Sequence, residues 1–374
     1  MNYSMGLRKW ALAAFAAGMV STVASVASAQ VMTSADGRVT GFRFTGPASQ
    51  VSAEDLANAK SRLPIVTGVD LDAGAGIGAQ GYGSENHPFT TKGAYSNATT
   101  GAPTNLLPFR ATGKLYMRFG ASWFVCTASA IEKGLLVTAA HCVANFGVGF
   151  ADEVRYQPAR HGANTPYGEW IAAVGWVPTV YIDGTDTCHP AAPGVICAND
   201  VAIVTMHTGP APYAGKHIGE ALGRYFYFTN NQGYTNFLGK TAGHITQLGY
   251  PVKFDSGLKM IRTDSLGYQE FSINGVAAQY QVLIGSDQTG GSSGGPWVMN
   301  FGVNPVSTSS APSFNQALRV VATTSWGYVG SAFKVQGASR FANNPAFPAP
   351  GNTNVKHLIF EACAASPAHC FLGG

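Results

Sequence analysis

The chain has 374 residues, 46% of them hydrophobic and 11% charged, with a formal charge of +4 at pH 7. That length and apolar content suit one large β-domain or two smaller ones and exclude a disordered chain. So mild a charge, with no basic run, excludes a reader of phosphate backbones, and no nucleic-acid partner is expected.

At the N-terminus, Arg8 and Lys9 precede an apolar stretch that ends in the small-residue pattern Ala27-Ser28-Ala29. This is the pattern of a cleaved secretory signal, so residues 1–29 are read as a signal peptide. Ser21, Thr22 and Ser25 interrupt the stretch, which falls short of the ~20 apolar residues a membrane span needs. The mature protein is therefore expected to be secreted, extracellular or periplasmic, with no membrane association.

Residues 30–105 are rich in Ala, Gly, Ser and Thr, with Asp72–Gly83 as the clearest low-complexity stretch. They are read as a propeptide or a loosely ordered N-terminal arm. Asn97-Ala98-Thr99 is a glycosylation sequon, a triplet that is also common by chance.

From about Leu107 the texture changes. KLYMRFG, SWFVCTASAI, GLLVTAA, GEWIAAVGWV, DVAIVTM, TAGHITQLGY, QYQVLIG and RVVATTSWG are short β-branched or aromatic runs separated by Gly, Pro, Asn and Asp. This predicts an all-β domain over residues 106–374, built as barrels or sandwiches. Val355–Ala362 has the composition of a helix, begun after the turn-rich Gly351–Asn354.

The six cysteines form an even set, as expected in an oxidising compartment, and fall into three local pairs: Cys126 with Cys142, Cys188 with Cys197, and Cys363 with Cys370. Six cysteines allow 15 pairings, and the neighbour pairing is favoured because short loops close most easily. No C-x-x-C or H-E-x-x-H spacing points to zinc, so neither a metal nor an organic cofactor is expected.

The chemistry is concentrated in Thr289–Trp297, TGGSSGGPW, which reads either as a flexible linker or as the strained loop of a nucleophilic serine. A serine hydroxyl needs a histidine to take its proton and an acid to orient that histidine. Among nine histidines, His141 alone follows an apolar strand and small residues and lies beside a cysteine, in Leu135–Cys142. Asp200 stands immediately before the apolar run Val201–Val204. The loop also satisfies the G-x-S-x-G of α/β-hydrolases, but that fold needs an acid and then a histidine downstream. After Ser293 there is no Asp and only Glu361, and alternating βα units are missing.

Taken in order, TAAHC, NDVAIV, GGSSGGP and SWG resemble the four signature segments of the trypsin-like, chymotrypsin-fold serine peptidases, over roughly residues 107–365. Pro108–Leu115 further resembles the start of the bacterial glutamyl-endopeptidase-like branch. The resemblance implies two six-stranded antiparallel β-barrels with a cleft between them and a C-terminal helix. It also implies His141 as general base, Asp200 as orienting acid and Ser293, not Ser292, as nucleophile. The N–H groups of Gly291 and Ser293 would form the oxyanion hole.

For specificity, Asp287 resembles the acid at the base of a trypsin-like pocket and Ser325-Trp326-Gly327 its wall, with Ser325 also placed to support Asp200. This implies a peptide or protein substrate with Arg or Lys before the scissile bond. A glutamate preference is the alternative, although Thr324 stands where that branch normally has a histidine. In zymogen-activated members the residue before the nucleophile is an aspartate that pairs with a new N-terminal amine, whereas here it is Ser292, so that activation route is not expected. The chain is expected to act as a monomer, and a catalytically silent protease-like binding protein is the reading from another class.

Overall fold

The computed structural model describes residues 30–44, 51–61, 88–94, 105–190, 192–228, 242–273, 276–302, 317–327, 334–341, 347 and 353–371. The expected signal peptide, the Asp72–Gly83 stretch and the Asn97 sequon lie outside the described residues.

The first barrel is made by Thr112–Phe119, Ser122–Ala130, Leu135–Thr138, Glu153–Pro158, Trp170–Pro178 and Ala202–Met206. Each pairs antiparallel with two others of the set, and Trp170–Pro178 closes the ring by pairing with both Glu153–Pro158 and Ala202–Met206. The second barrel uses Ala242–Gly249, Ile261–Ile273, Val276–Gly285, Pro296–Met299, Arg319–Gly327 and Val335–Arg340, again closed and antiparallel. The expected fold, two six-stranded antiparallel β-barrels with a C-terminal helix, is the fold observed.

Closure leaves no free edge within either ring, and each interior fills with the alternate residues of its strands. Leu115, Met117, Leu136, Val154, Tyr156 and Val204 fill the first barrel and Ile245, Val282, Ile284, Trp297 and Val321 the second. A further apolar cluster joins the two, with Leu135, Val137 and Ile203 from one barrel and Leu248, Val298 and Val320 from the other. The barrels are thus packed against each other through an apolar seam.

The C-terminal helix, Asn354–Ala365, starts at Thr353, whose hydroxyl accepts the Lys356 N–H at 3.2 Å as an N-cap. Its Val355, Leu358, Ile359 and Ala362 are buried in the same cluster as Val174, Trp176 and Ile203 of the first barrel. The disulfides join sequence neighbours as expected: Cys126–Cys142, Cys188–Cys197 and Cys363–Cys370.

Strands within the described parts of residues 30–105 extend the sheets of the barrels. Gln30–Thr33 and Val39–Arg43 form a hairpin whose second strand lies antiparallel on Trp170–Pro178. A Cβ on Gly41 would lie 2.5 Å from the Trp176 ring, so only glycine lets the hairpin settle onto that indole. Lys60–Ser61 pairs with Ser122–Ala130, and Phe89–Gly93 pairs with Ile261–Ile273 of the second barrel. Among the described residues no helix is long and apolar enough to cross a membrane.

Candidate active site

The pairing register explains how two of the expected groups meet. Leu135–Thr138 and Ala202–Met206 run antiparallel with Thr138 opposite Ala202, so the segment after the first strand and the segment before the second leave by the same rim. His141 sits there in a single 3-10 turn, Ala140–Cys142, tied back to the Ser122–Ala130 strand by the Cys126–Cys142 disulfide. Asp200 lies opposite, fully buried.

The two groups bond twice. His141 Nδ1 is 2.8 Å from Asp200 Oδ2, and the His141 backbone N–H donates to Asp200 Oδ1 at 2.9 Å. The Ser325 hydroxyl lies against Asp200 Oδ2, and the Asp200 N–H donates to Ser339 Oγ at 3.1 Å. The acid thus hangs from the first barrel while two serines of the second hold it. A carboxylate in this position fixes the imidazole with its proton on Nδ1, leaving Nε2 as the basic nitrogen. His141 Nε2 is buried and has no hydrogen-bond partner among the described residues.

Asp186 is a second acid nearby, which the sequence reading missed. Its Oδ2 accepts the Asn199 N–H at 2.9 Å and its Oδ1 the Asn199 side-chain amide at 3.0 Å. Burial pushes its carboxyl up to about 6, the Asn199 bonds pull it down, and the Asp200 charge raises it. It fixes Asn199, the residue directly before Asp200.

The serine loop is delivered by the second barrel and clamped by the first. The Thr127 N–H donates to Ser293 O at 2.7 Å and Thr127 Oγ1 donates to Gly291 O at 2.8 Å. Gly294 has φ +76°, and a Cβ there would lie 1.9 Å from Thr138 Oγ1 and 3.0 Å from the Ala139 nitrogen. The loop is therefore seated on the segment that runs into His141. No hydrogen bond joins Ser293 Oγ to His141 Nε2 among the described residues.

Backbone donors in the loop divide into two sets. The N–H groups of Ser292, Gly294 and Gly295 donate to Thr289 O, Thr324 O and Ser292 O. Those of Gly291 and Ser293 donate to no protein acceptor among the described residues. Buried N–H groups are rarely left orphaned, which sets these two apart from the rest of the loop. The two serines differ in the same way. Ser292 Oγ donates to Thr289 O at 2.7 Å and accepts from Gln336 Nε2 at 3.2 Å, while among the described residues no bond holds the Ser293 hydroxyl.

The expected pocket residues are close by. Ser325, Trp326 and Gly327 end the strand Arg319–Gly327, and Trp326 Nε1 donates to Gln281 Oε1 at 2.9 Å. Asp287 Oδ2 is 3.0 Å from Lys253 Nζ, a partner the sequence did not indicate, while Asp287 Oδ1 is buried and accepts no hydrogen bond. The Thr324 hydroxyl is occupied, receiving Gln247 Nε2 at 2.8 Å and Trp297 Nε1 at 2.9 Å.

Among the described residues, two groups of side chains come within metal-binding distance of one another, Cys126 with His141 and Cys142, and Asp186 with Cys188 and Cys197. In both, the sulfurs are joined as disulfides and offer no thiolate, so neither set suits a metal ion.

No protein-family model matches the chain. The "Extracellular metalloprotease" of Bacillus subtilis (strain 168) is 25% identical over 130 residues, which are 34% of this chain and 36% of that protein. The chain thus spans about a third of the length of the curated relative it matches. Similar solved structures include the protease Anisep of Arthrobacter nicotinovorans, 21% identical, with 68% of this chain and 96% of that one covered at a TM-score of 0.49. A Glu endopeptidase in complex with MPD is 18% identical, with 75% and 98% covered at 0.46. The thermostable serine protease AL20, from an extremophilic microorganism, is 20% identical, with 62% and 92% covered at 0.45. The two-barrel architecture rests on the strand pairings and not on these likenesses.

Proposed function

We propose that this chain is a secreted serine endopeptidase that cleaves peptide bonds through an acyl-enzyme. The observation that carries the reading is a pair of features on one rim. There is a buried imidazole locked by Asp200 with its second nitrogen free, and a glycine-rich loop that leaves two N–H groups and one serine hydroxyl unbound.

In the reaction, His141 Nε2 takes the proton of Ser293 Oγ as that oxygen bonds to the scissile carbonyl carbon. The carbonyl oxygen becomes an oxyanion and is received by the Gly291 and Ser293 N–H groups. His141 then gives its proton to the leaving amine as the C–N bond breaks, and a water repeats the sequence to free the acid. Asp200 stabilises the imidazolium through its bond to Nδ1. The relative's printed name supports a peptidase, although the disulfide-bound side chains around His141 do not suit the metal that the name mentions.

For specificity we propose Arg or Lys before the scissile bond, received by the unpaired Asp287 Oδ1. Lys253 holds the other oxygen from a half-exposed position, where an ion pair is weak and readily exchanged. The glutamate alternative would need a donor at Thr324, whose hydroxyl lies inside the buried network. The peptidase domain would span residues 106–374. The hairpin packed on Trp176 supports reading the preceding segment as an arm retained with that domain, acting as a monomer.

A fluorophosphonate probe tests the reading. Labelling should disappear in Ser293→Ala and persist in Ser292→Ala; the reverse pattern would overturn the assignment. Labelling that persists in both variants would place the nucleophile elsewhere, and no labelling of the native chain would favour the silent binding protein. Peptide substrates with Arg, Lys, Glu or Phe at the cleaved position should rank the basic pair first, and a lead for Glu would remove Asp287 from the pocket.

A further inference from the structure

Ser292 stands where an ion pair would otherwise shape the oxyanion loop, so something else must hold the loop. The structure contains a candidate. Gln336, on Val335–Arg340, sends one Nε2 proton to Gln288 O at 2.9 Å and the other to Ser292 Oγ at 3.2 Å. Its Oε1 accepts from Gln247 Nε2, whose second proton goes to Thr324 Oγ1 at 2.8 Å. Gln247 Oε1 receives the Ser286 hydroxyl at 2.7 Å, and Thr324 Oγ1 donates to Gly295 O at 3.3 Å.

Each amide proton and each carbonyl oxygen of the two glutamines is used, with the direction of every bond consistent. Gln336 is 4% exposed and Gln247 is fully buried. A network completely satisfied in so dry a place is rigid, because breaking any member strands a buried polar group at a cost of about 1 to 3 kcal/mol. It grips the loop at Ser286, Gln288, Ser292 and Gly295, on both sides of Ser293, and contains no charged group. Gly249 makes the close seating possible, since a Cβ there would lie 2.4 Å from Gln288 Oε1 and 3.0 Å from Ser292 Cβ.

We infer that Gln336, supported by Gln247, is the positioning residue of the oxyanion loop: a neutral pair of buried amides holds the Gly291 and Ser293 N–H groups in their receptive geometry. This rests on the peptidase reading above. Gln336 touches no reacting atom and acts through Ser292 and Gln288. It would relieve the enzyme of any need for a newly made N-terminal ammonium to complete its site.

The test uses the full chain with Gln336→Met, similar in length but without a donor, together with Ser292→Ala and the double variant. Loss of loop geometry should lower kcat about 100-fold in Gln336→Met, the scale of losing one oxyanion donor, with KM within about twofold. A peptide boronic acid, which fills the oxyanion hole, should weaken in parallel with kcat. Because both single changes break one contact, the double variant should lose little more than Gln336→Met alone. Gln336→Glu keeps the shape but places a carboxylate against Gln288 O and should not rescue kcat.

A folded Gln336→Met enzyme with kcat within threefold of the native one would overturn the inference while probe labelling of Ser293 left the peptidase reading standing. So would multiplicative losses in the double variant. If Gln336→Met does not fold, Ser292→Ala decides alone: a fall of about tenfold in kcat at constant KM supports the inference, and an unchanged kcat refutes it. A native chain that takes up no probe would fail the underlying reading instead.

Discussion

Replacing Asp200 with Asn is the sharpest perturbation of the proposed triad, because the structure dictates which way the amide must turn. Asp200 Oδ1 accepts the His141 backbone N–H at 2.9 Å, and Oδ2 faces His141 Nδ1 at 2.8 Å together with the Ser325 hydroxyl. An asparagine has one oxygen for these two places. With its NH2 toward the backbone N–H, two donors would oppose each other in a fully buried site, costing about 1 to 3 kcal/mol. The oxygen therefore stays on the backbone side and the NH2 faces Nδ1, which must become an acceptor. The ring proton then moves to Nε2, the atom that should take the proton of Ser293. Such a tautomer error lowers kcat by about 10⁴, or about 5.5 kcal/mol at about 1.4 kcal/mol per tenfold. The fold should persist because the shape is unchanged. The assay is kcat on a chromogenic peptide near pH 7.5, with the fluorophosphonate labelling rate as a second readout. A loss under tenfold would refute the role given to Asp200.

Two further outcomes follow from packing and burial. Gly294→Ala places a methyl 1.9 Å from Thr138 Oγ1 and 2.3 Å from Thr127 O at a φ of +76°, so the loop must leave its seat. Urea denaturation should show a loss of at least about 3 kcal/mol, and a change under 1 kcal/mol would contradict the seating. Lys114 is buried, donates to Gly257 O at 2.7 Å across the barrels, and is pulled down to about 7 by burial and then by the Arg160 charge. Its folded value lies below the unfolded 10.5, so the unfolded chain holds the proton to higher pH. Stability should therefore rise with pH from about 7 toward 10.5, by on the order of 5 kcal/mol as an upper bound. Tyr116, pushed up to about 12 by burial, opposes this only above pH 10, where tyrosine ionises in the unfolded chain. Lys114→Met should flatten urea midpoints measured between pH 7 and 9.5, and equal slopes in the two proteins would refute the assignment.

Strands whose two faces see apolar surroundings were legible as β-branched runs. Strands richer in polar or charged residues were not, although a run such as Ala242–Gly249 was legible with Gln247 buried among apolar neighbours. Glu153–Pro158 is not among the apolar runs, yet it is a strand in which Arg155 is buried between Glu153 and Glu169, 2.6 Å from a carboxylate oxygen of each. Val335–Arg340 is hidden for the same reason, because its buried Gln336 and Ser339 are satisfied by partners far away in sequence. A polar side chain in a strand signals solvent until its partner is known. The site divides likewise: His141, Asp200 and the loop stand out in short segments, whereas Thr127, Ser339, Lys253, Asp186 and the two glutamines have no local signature.

By itself the sequence determined the all-β class, the terminal helix, the neighbouring disulfides and the order of the candidate groups, because each depends on residues within a few positions of one another. Tertiary structure alone decided which partners occupy Asp287, what seats the glycine-rich loop and why Ser292 needs no charge beside it. Those answers depend on contacts between residues 34 to 164 positions apart, as in Lys253 on Asp287, Gln336 on Ser292 and Thr127 on Gly291. Closing two barrels against one seam is what brings them within hydrogen-bonding distance.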